Sequence, residues 1–525
     1  MHDCLRHFEL RLQIVEHIPL RDRNTLFALA RTCRLFEEPA LDRLWSVAEH
    51  DTLGHLIACL PPDAITTTEK PYGPYLNLEL TTLRALMFND WERFRLHCHR
   101  IREFNDVTWL TFFRYGGALS SLASWLPWDY LFPRLRTLSW HISPHIAMDA
   151  SMHMKNLRMF LSPTLREFRF SGTVLAEILP SLPVVAHKAP SLTDITIAAD
   201  DFDVSSYTTI ERAAIGAFVE KFRCLRHLNV PTINIHALEH LATVDNFSTL
   251  IVDEFDSDMF PQPSFSAQSA PVFAALKSVS MSCAHLPSAI RFLRAITGLE
   301  DMSLVPILDE HTTEHISELF SALVSTGCHQ TLTFISLLIW RDDQAPVPIR
   351  RDVFVTLAQS FAALESLCIR WNGPLDIDDA TLALLATNCP QLRVLQICSQ
   401  INRWEPPVLT LAVLLSVAHT CKHLETIHLT LDATTPPAIR RGSAGEQRVT
   451  QCALRTINFT FSTLTDAHPV ASFLSSIFPA LEDTRTMWEE EEVMQGRWQE
   501  VQQILPLVQA IRRDEQEWAV GPLST

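Results

Sequence analysis

Glycine is scarce in this chain: 13 residues of 525, against a usual share of about 7%. Loops that cradle phosphate need glycine for close backbone approach, so the shortage speaks against a nucleotide-binding enzyme. No GxGxxG, GKS, GKT or GxSxG sequence occurs. Positive charge is also short. Lys and Arg number 43 against 60 Asp and Glu, a formal net charge of −17, which repels a polyanion and excludes a general nucleic-acid partner. Closely paired cysteines are missing too. The 12 cysteines run from Cys4 to Cys452 with no CxxC spacing. Because Met1-His2-Asp3-Cys4 opens no secretory leader, the thiols are expected to be reduced and mostly buried, in a cytoplasmic or nuclear protein. The sequons at Asn246 and Asn458 are then chance matches, and no lipidation motif is present. Leu319 to Trp340 lacks charged residues, but Gly327-Cys328-His329-Gln330 interrupts it. A buried helix, a turn and a buried strand are expected there, not a membrane span.

What the chain has is apolar material, 47% against 20% charged, which excludes a mainly disordered protein. Much of it recurs. An apolar residue, two variable residues, an apolar residue, one variable residue and a further apolar residue repeat from Leu135, Leu165, Leu192, Leu225, Leu276, Leu299, Leu332, Leu364, Leu392, Leu424 and Leu454. Most steps span 23 to 33 residues, and the longer gap after Leu225 leaves room for a degenerate unit around Leu250. Weaker units are read at Leu83-Leu86-Phe88, at Ile101-Phe104 and at Leu481. The alternating end of each unit has the period of a strand. The stretches between, such as 379–387 and 409–419, have helical spacing. One strand and one helix cannot bury their faces alone, whereas stacked units can. The pattern resembles the leucine-rich repeat. That resemblance implies an α/β solenoid, with a parallel inner sheet and outer helices.

The first 45 residues predict three short helices. Leu10, Ile14 and Ile18 share one face, and Pro19 closes the first helix. Asp22 is a cap for the second, in which Leu26, Leu29, Ala30 and Cys33 share a side. Pro39 suits the first turn of the third, which buries Leu41, Leu44 and Trp45.

LARTCRLFEEPALDRLW at 29–45 resembles the second half of the F-box motif of expanded fungal families. NDWERFRLHCHRIREF at 89–104 resembles a segment those proteins carry after it. The resemblance implies that these helices dock on the Skp-type adaptor of a cullin–RING ubiquitin ligase, while the repeats hold a protein substrate for ubiquitin-dependent degradation. It assigns Leu10, Ile14, Ile18, Leu26 and Leu29 to adaptor binding or packing. It assigns Cys33, Phe36, Leu41, Leu44 and Trp45 to the motif's core. Where family members carry Leu-Pro or Ile-Pro, this chain has His7-Phe8. A helical cap over the first repeat is the other reading of these helices. The organisation expected is an F-box-like unit at 1–50, a connecting segment at 51–79, the repeat array at 80–485 and an acidic helical cap or tail at 486–525.

No catalytic constellation is evident, so no enzyme activity is expected. Two HxxEH sequences, His236 to His240 and His311 to His315, match a zinc-peptidase spacing. Both fall on the outer helical side and are read as solvated helix faces. His97-Cys98-His99 cannot converge, because adjacent residues point apart. No metal or cofactor is expected. The residues flanking the strand positions include Glu167, Arg169, Asp194, His227, Asn229, Asp301, Ser303, Ser366, Arg370, Gln396, Thr426, His428 and Asn458. This mixed row suits a protein partner. Arg169, His227, Arg370, Trp371 and His428 are its candidate substrate-binding residues, with Trp371 beside Arg370 as an anchor. Three loops break the period, at 256–271, 341–351 and 436–448. A leucine-rich scaffold with a degenerate F-box and no ligase role is the alternative.

Overall fold

The computed structural model describes residues 7–72, 75–107, 109–142, 150–172, 178–199, 207–255, 273–283, 285–306, 312–338, 347–399, 407–437, 449–488 and 491–520. It divides into two compact units, Met1–Phe247 and Ser248–Thr525. Much of the three period-breaking loops, and His311 of the second HxxEH sequence, lie outside the described residues.

In the first unit a parallel sheet runs in the order β1 (Val47–Ala48), β4 (Glu103–Val107), β5 (Thr137–Ile142), β6 (Glu167–Gly172), β7 (Asp194–Ala199) and β8 (His227–Thr232). Between β1 and β4 lie a helix, His50–Ile57, and an antiparallel hairpin of β2 (Ile65–Tyr72) and β3 (Tyr75–Thr82). The second unit repeats the theme with β9 (Thr249–Phe255), β10 (Ser278–Cys283), β11 (Asp301–Pro306), β12 (Phe334–Leu338), β13 (Ser366–Trp371), β14 (Val394–Ser399), β15 (Thr426–Leu429), β16 (Thr456–Asn458) and β17 (Asp483–Arg485). Each is parallel to the next in chain order.

The repeat leucines explain this order. From Leu135 to Leu454 each is no more than 1% exposed, and a strand begins two residues after it. The unit around Leu250 starts at Phe247, which is buried and precedes β9 by the same two residues. Ile101 and Leu481 stand in that relation to β4 and β17. The expected unit at Leu83-Leu86-Phe88 is corrected. Leu83 and Phe88 are 59% and 66% exposed, and the segment follows the antiparallel hairpin. The 51–79 stretch is therefore largely helix and hairpin, and the parallel sheet starts from β1 and Ile101.

In several repeats a polar side chain three residues before the leucine hydrogen-bonds to the repeat before it. Cys389 Sγ donates to the Phe361 carbonyl at 3.3 Å, and Ser162 Oγ to the Leu135 carbonyl at 3.2 Å. Gln451 Nε2 donates to the carbonyls of Leu424 at 2.8 Å and Cys421 at 3.3 Å. At the end of the second unit Gln509, from the Glu492–Val520 helix, makes the equivalent pair of bonds. It donates to the Leu481 carbonyl at 2.9 Å and to the Phe478 carbonyl at 3.3 Å. Trp498 of that helix stacks on Phe459 with centroids 4.2 Å apart. The helix thus covers the last repeat.

Leu319 to Leu338 is a helix, a turn through Gly327 at φ 81° and strand β12. Among the described residues, no helix is long and apolar enough to cross a membrane.

Candidate functional site

Three helices open the first unit: α1 (Phe8–Glu16), α2 (Arg23–Thr32) and α3 (Arg34–Leu44). Asp22 caps α2, its Oδ1 accepting from the Thr25 amide at 3.2 Å. Their small core holds Val15, Leu26, Phe36 and Ala40, with Ile18, Leu29, Ala30, Cys33 and Leu44 partly buried against it.

Two expectations are corrected here. Leu10 and Ile14 share a face that Ile18 does not extend, and the inward side of α1 is Arg11 and Val15. Phe8, Leu10, Leu12 and Ile14 face solvent at 55%, 40%, 37% and 41% exposure. Ile18 lies past the end of the helix. The second correction concerns Pro39, which sits inside α3 and not in its first turn. Proline has no N–H for the Leu35 carbonyl, one turn earlier. The Arg11 guanidinium donates to that carbonyl at 3.0 Å, which draws Arg11 inward and turns its neighbours out.

Of the residues assigned to the adaptor, Leu10 and Ile14 are therefore accessible, Ile18 and Leu29 half-buried, and Leu26 fully buried in the helices' own core. Of those assigned to the motif's core, Phe36 is buried, while Cys33, Leu41, Leu44 and Trp45 are half-buried. Phe27 and Leu35 add exposed apolar surface at 52% and 39%.

The segments 29–45 and 89–104 meet. Trp45 stacks on His97, with centroids 4.3 Å apart and planes at 28°. Arg100, 7% exposed, pairs through its guanidinium with Glu38 at 2.6 Å and with Asp42. Burial, then the charges of Arg100 and Arg93, hold the His97 imidazole below its usual pKa.

The second surface is the helix-free face of each repeat sheet. Strand alternation decides what reaches it: in β13, Ser366, Cys368 and Arg370 are half-exposed while Leu367, Ile369 and Trp371 are buried. Trp371 is thus corrected as an anchor. Its side chain is fully buried, and its indole Nε1 donates to the Val347 carbonyl at 2.6 Å.

In the first unit, register places Glu167, Asp194 and His227 in one row across β6, β7 and β8. Arg169, exposed and ion-paired with Glu167, lies in the next row with Thr196 and Asn229. In the second unit one row runs Ser280, Ser303, Ser336, Cys368, Gln396, His428, Asn458 and Arg485 across β10 to β17. Arg370 lies two residues further along β13, opposite Cys398. Burial, then the charges of Arg370 and Arg485, lower the pKa of His428. Its Nδ1 is buried without a hydrogen-bond partner. Arg485 was missed in the sequence. It stands four residues after Leu481, in the same position as His428 after Leu424.

The residues of the first HxxEH sequence do not converge. His236 is an exposed side chain 3.5 Å from Glu239, whereas His240 Nε2 lies 2.7 Å from the Phe222 carbonyl. No cluster of His, Cys, Asp or Glu among the described residues is arranged to hold a metal ion.

A buried leucine, a strand two residues later and a helix returning to the next leucine define a leucine-rich-repeat protein. No protein-family model and no curated protein sequence matches the chain. Among solved structures it is similar to an internalin from Listeria monocytogenes, at 11% identity over 70% of this chain and 94% of that one, with a TM-score of 0.33. It is similar to a leucine-rich-repeat-containing protein from Legionella pneumophila, at 11% identity over 70% and 98%, with a TM-score of 0.27. A leucine-rich-repeat protein from Leptospira interrogans is 12% identical over 70% and 81%, with a TM-score of 0.30. Scores this low carry no weight beside the repeat geometry itself.

Proposed function

We propose that this chain is a non-catalytic substrate adaptor of the F-box kind, working in the cytoplasm or nucleus. Its N-terminal helices dock on a Skp-type adaptor of a cullin–RING ubiquitin ligase, and its repeat sheets hold a protein substrate. Chemistry then belongs to the recruited ligase, which acts by holding substrate and ubiquitin-conjugating enzyme together. The observation that carries this reading is the exposure of four apolar side chains of α1, with Phe8 and Leu12 on one flank of its inward side and Leu10 and Ile14 on the other. Helices serving only to cap the first repeat have no need of exposed apolar flanks.

The test is a pull-down of the full chain on purified Skp-type adaptor. Wild type is expected to bind, and Leu10→Asp and Ile14→Asp to lose binding without a change in thermal unfolding. No wild-type binding, or equal binding by both variants, overturns the proposal. Leu26→Asp is uninformative, because it disrupts the helices' own core. A second reading, a leucine-rich scaffold with no ligase role, is favoured by His7-Phe8 standing where the family's proline is expected.

A further inference from the structure

The residue after the first apolar position of each repeat stands just before its strand, and there it builds a backbone ladder. In the first unit Arg136 N donates to Arg102 O at 2.6 Å, Arg166 N to Arg136 O at 2.8 Å, Thr193 N to Arg166 O at 2.8 Å and Arg226 N to Thr193 O at 2.7 Å. The second unit has the same bonds: Glu300 N to Lys277 O at 2.7 Å, Glu425 N to Arg393 O at 2.8 Å and Glu482 N to Arg455 O at 2.9 Å. In that unit the side chains of neighbouring rungs meet with opposite charge. Lys277 pairs with Glu300 at 2.6 Å, Arg393 with Glu425 at 2.5 Å and Arg455 with Glu482 at 2.7 Å. In the first unit the same position holds Arg102, Arg136 and Arg166 in succession, all exposed. The carboxylates next to them in sequence are engaged elsewhere. Glu103 accepts from Asn105 Nδ2 at 3.2 Å, and Glu167 accepts from Thr137 Oγ1 at 3.2 Å and pairs with Arg169. Arg166 donates to the Ser191 carbonyl at 3.0 Å. Among the described residues, no carboxylate pairs with Arg102, Arg136 or Arg166.

We infer that Arg102, Arg136 and Arg166 form a docking edge for an acidic segment of a protein partner. The inference goes beyond the adaptor reading and does not rest on it, since a scaffold with no ligase role would use the same edge. Three observations carry it. The ladder bonds hold the arginines on adjacent rungs, so the backbone fixes their nearness. Their side chains are exposed and unanswered by a carboxylate of the described residues. And the second unit neutralises the same position pair by pair, so the repeat itself does not require like charges there. Like charges on neighbouring strands repel, and an anion from outside relieves that repulsion. All three are arginines, whose planar fork takes a carboxylate through two parallel hydrogen bonds. The scale of the row selects the partner. Strands lie about 4.8 Å apart, so Arg102 to Arg166 spans roughly 10 Å. Glutamates at i, i+4 and i+7 of a helix rise through about 10.5 Å at nearly the same interval. Binding of a nucleic acid draws on many more phosphate contacts than three cations make, and the chain that carries them has a net charge of −17.

The test uses the full chain and three fluorescein-labelled, alanine-rich helical peptides of about 15 residues. They carry glutamate, glutamine or lysine at positions i, i+4 and i+7. Binding is followed by fluorescence anisotropy at low ionic strength, where exposed charges are least screened. The glutamate peptide is expected to bind saturably, and the glutamine and lysine peptides not to. Arg136→Gln is expected to weaken binding about threefold, and the triple variant Arg102→Gln, Arg136→Gln, Arg166→Gln about 25-fold. Lys277→Gln, at the same position of the second unit but already paired with Glu300, is expected to leave binding unchanged. The melting temperature of Arg136→Gln is expected to hold or rise, because the change relieves like-charge repulsion. Its weaker binding then reports the edge and not unfolding. No saturable binding of the glutamate peptide overturns the inference. So does equal binding by both arginine variants, equal binding of the glutamine peptide, or tighter binding of a single-stranded oligothymidylate. The adaptor pull-down reads α1 and this titration reads the arginine row, so failure of one is distinct from failure of the other.

Discussion

Arg11 and Pro39 are coupled through a single carbonyl. Proline at 39 leaves the Leu35 oxygen without its helical donor, and Arg11, from another helix, supplies one at 3.0 Å. The substitution Arg11→Met is expected to destabilise the three helices by about 2 kcal/mol, the scale of a charged hydrogen bond to a buried acceptor. In a Pro39→Ala background the loss should shrink, because alanine restores the backbone donor. Hydrogen exchange of the α1–α3 amides in the four variants measures both. Equal losses in the two backgrounds would show that the coupling does not exist.

The Arg100 cluster is asymmetric. The guanidinium is buried, but the side chains of Glu38 and Asp42 are 69% and 50% exposed. Removing the arginine leaves carboxylates that water can solvate, whereas removing both carboxylates strands a charge in the interior. Glu38→Ala with Asp42→Ala is therefore expected to cost more than Arg100→Met, by about 2 kcal/mol. Urea unfolding of the two variants decides it, and the reverse order counts against this account.

Gly373 follows the buried Trp371, where 347–349 runs against 372–376 through the bonds Val347 N to Asn372 O and Ile349 N to Pro374 O. A Cβ at 373 would lie 2.1 Å from the Val347 backbone oxygen. Backbone cannot rotate away as a side chain would. Gly373→Ala is expected to cost about 3 kcal/mol and to lower the melting temperature, while Gly496→Ala, with open space around it, should cost nothing.

Cysteine reactivity should follow burial. Cys283 and Cys389 are fully buried, and desolvation pushes both thiols up to about 12. Cys224 and Cys452 are exposed. Iodoacetamide at pH 8 is expected to modify the exposed pair and to spare the buried pair until the chain unfolds. The same shift makes stability depend on pH. In the unfolded chain these thiols lose their protons near 9; in the fold they keep them to about 12. The folded state then holds more protons across that interval, so stability falls as pH rises from 9 towards 12. Urea midpoints that stay constant from pH 8 to 10.5 would contradict this.

Much of the architecture could be read from the leucines alone. The first apolar position of each repeat fixes the strand two residues later, and this held even for the weak units at Ile101 and Leu481. Leu83-Leu86-Phe88 shows why spacing is not sufficient: the same letters occur on an exposed stretch beyond a hairpin, and only the neighbouring strand distinguishes them. Trp371 failed for a reason already present in its own strand. Leu367, Ile369 and Trp371 alternate with Ser366, Cys368 and Arg370, so the period that located the strand also turned the indole inward. The face of α1 was not legible. Leu10, Ile14 and Val15 are all apolar, and what selects the inward side is a carbonyl orphaned on another helix by Pro39.

Gln509 makes for the last repeat the pair of bonds that Gln451 makes for the repeat of Leu424, yet it belongs to a helix and not to a further turn of the stack. The second unit therefore ends on a counterfeit rung. Elongation at that edge, by a sister molecule or by a misfolded neighbour, meets a site whose acceptors are already taken.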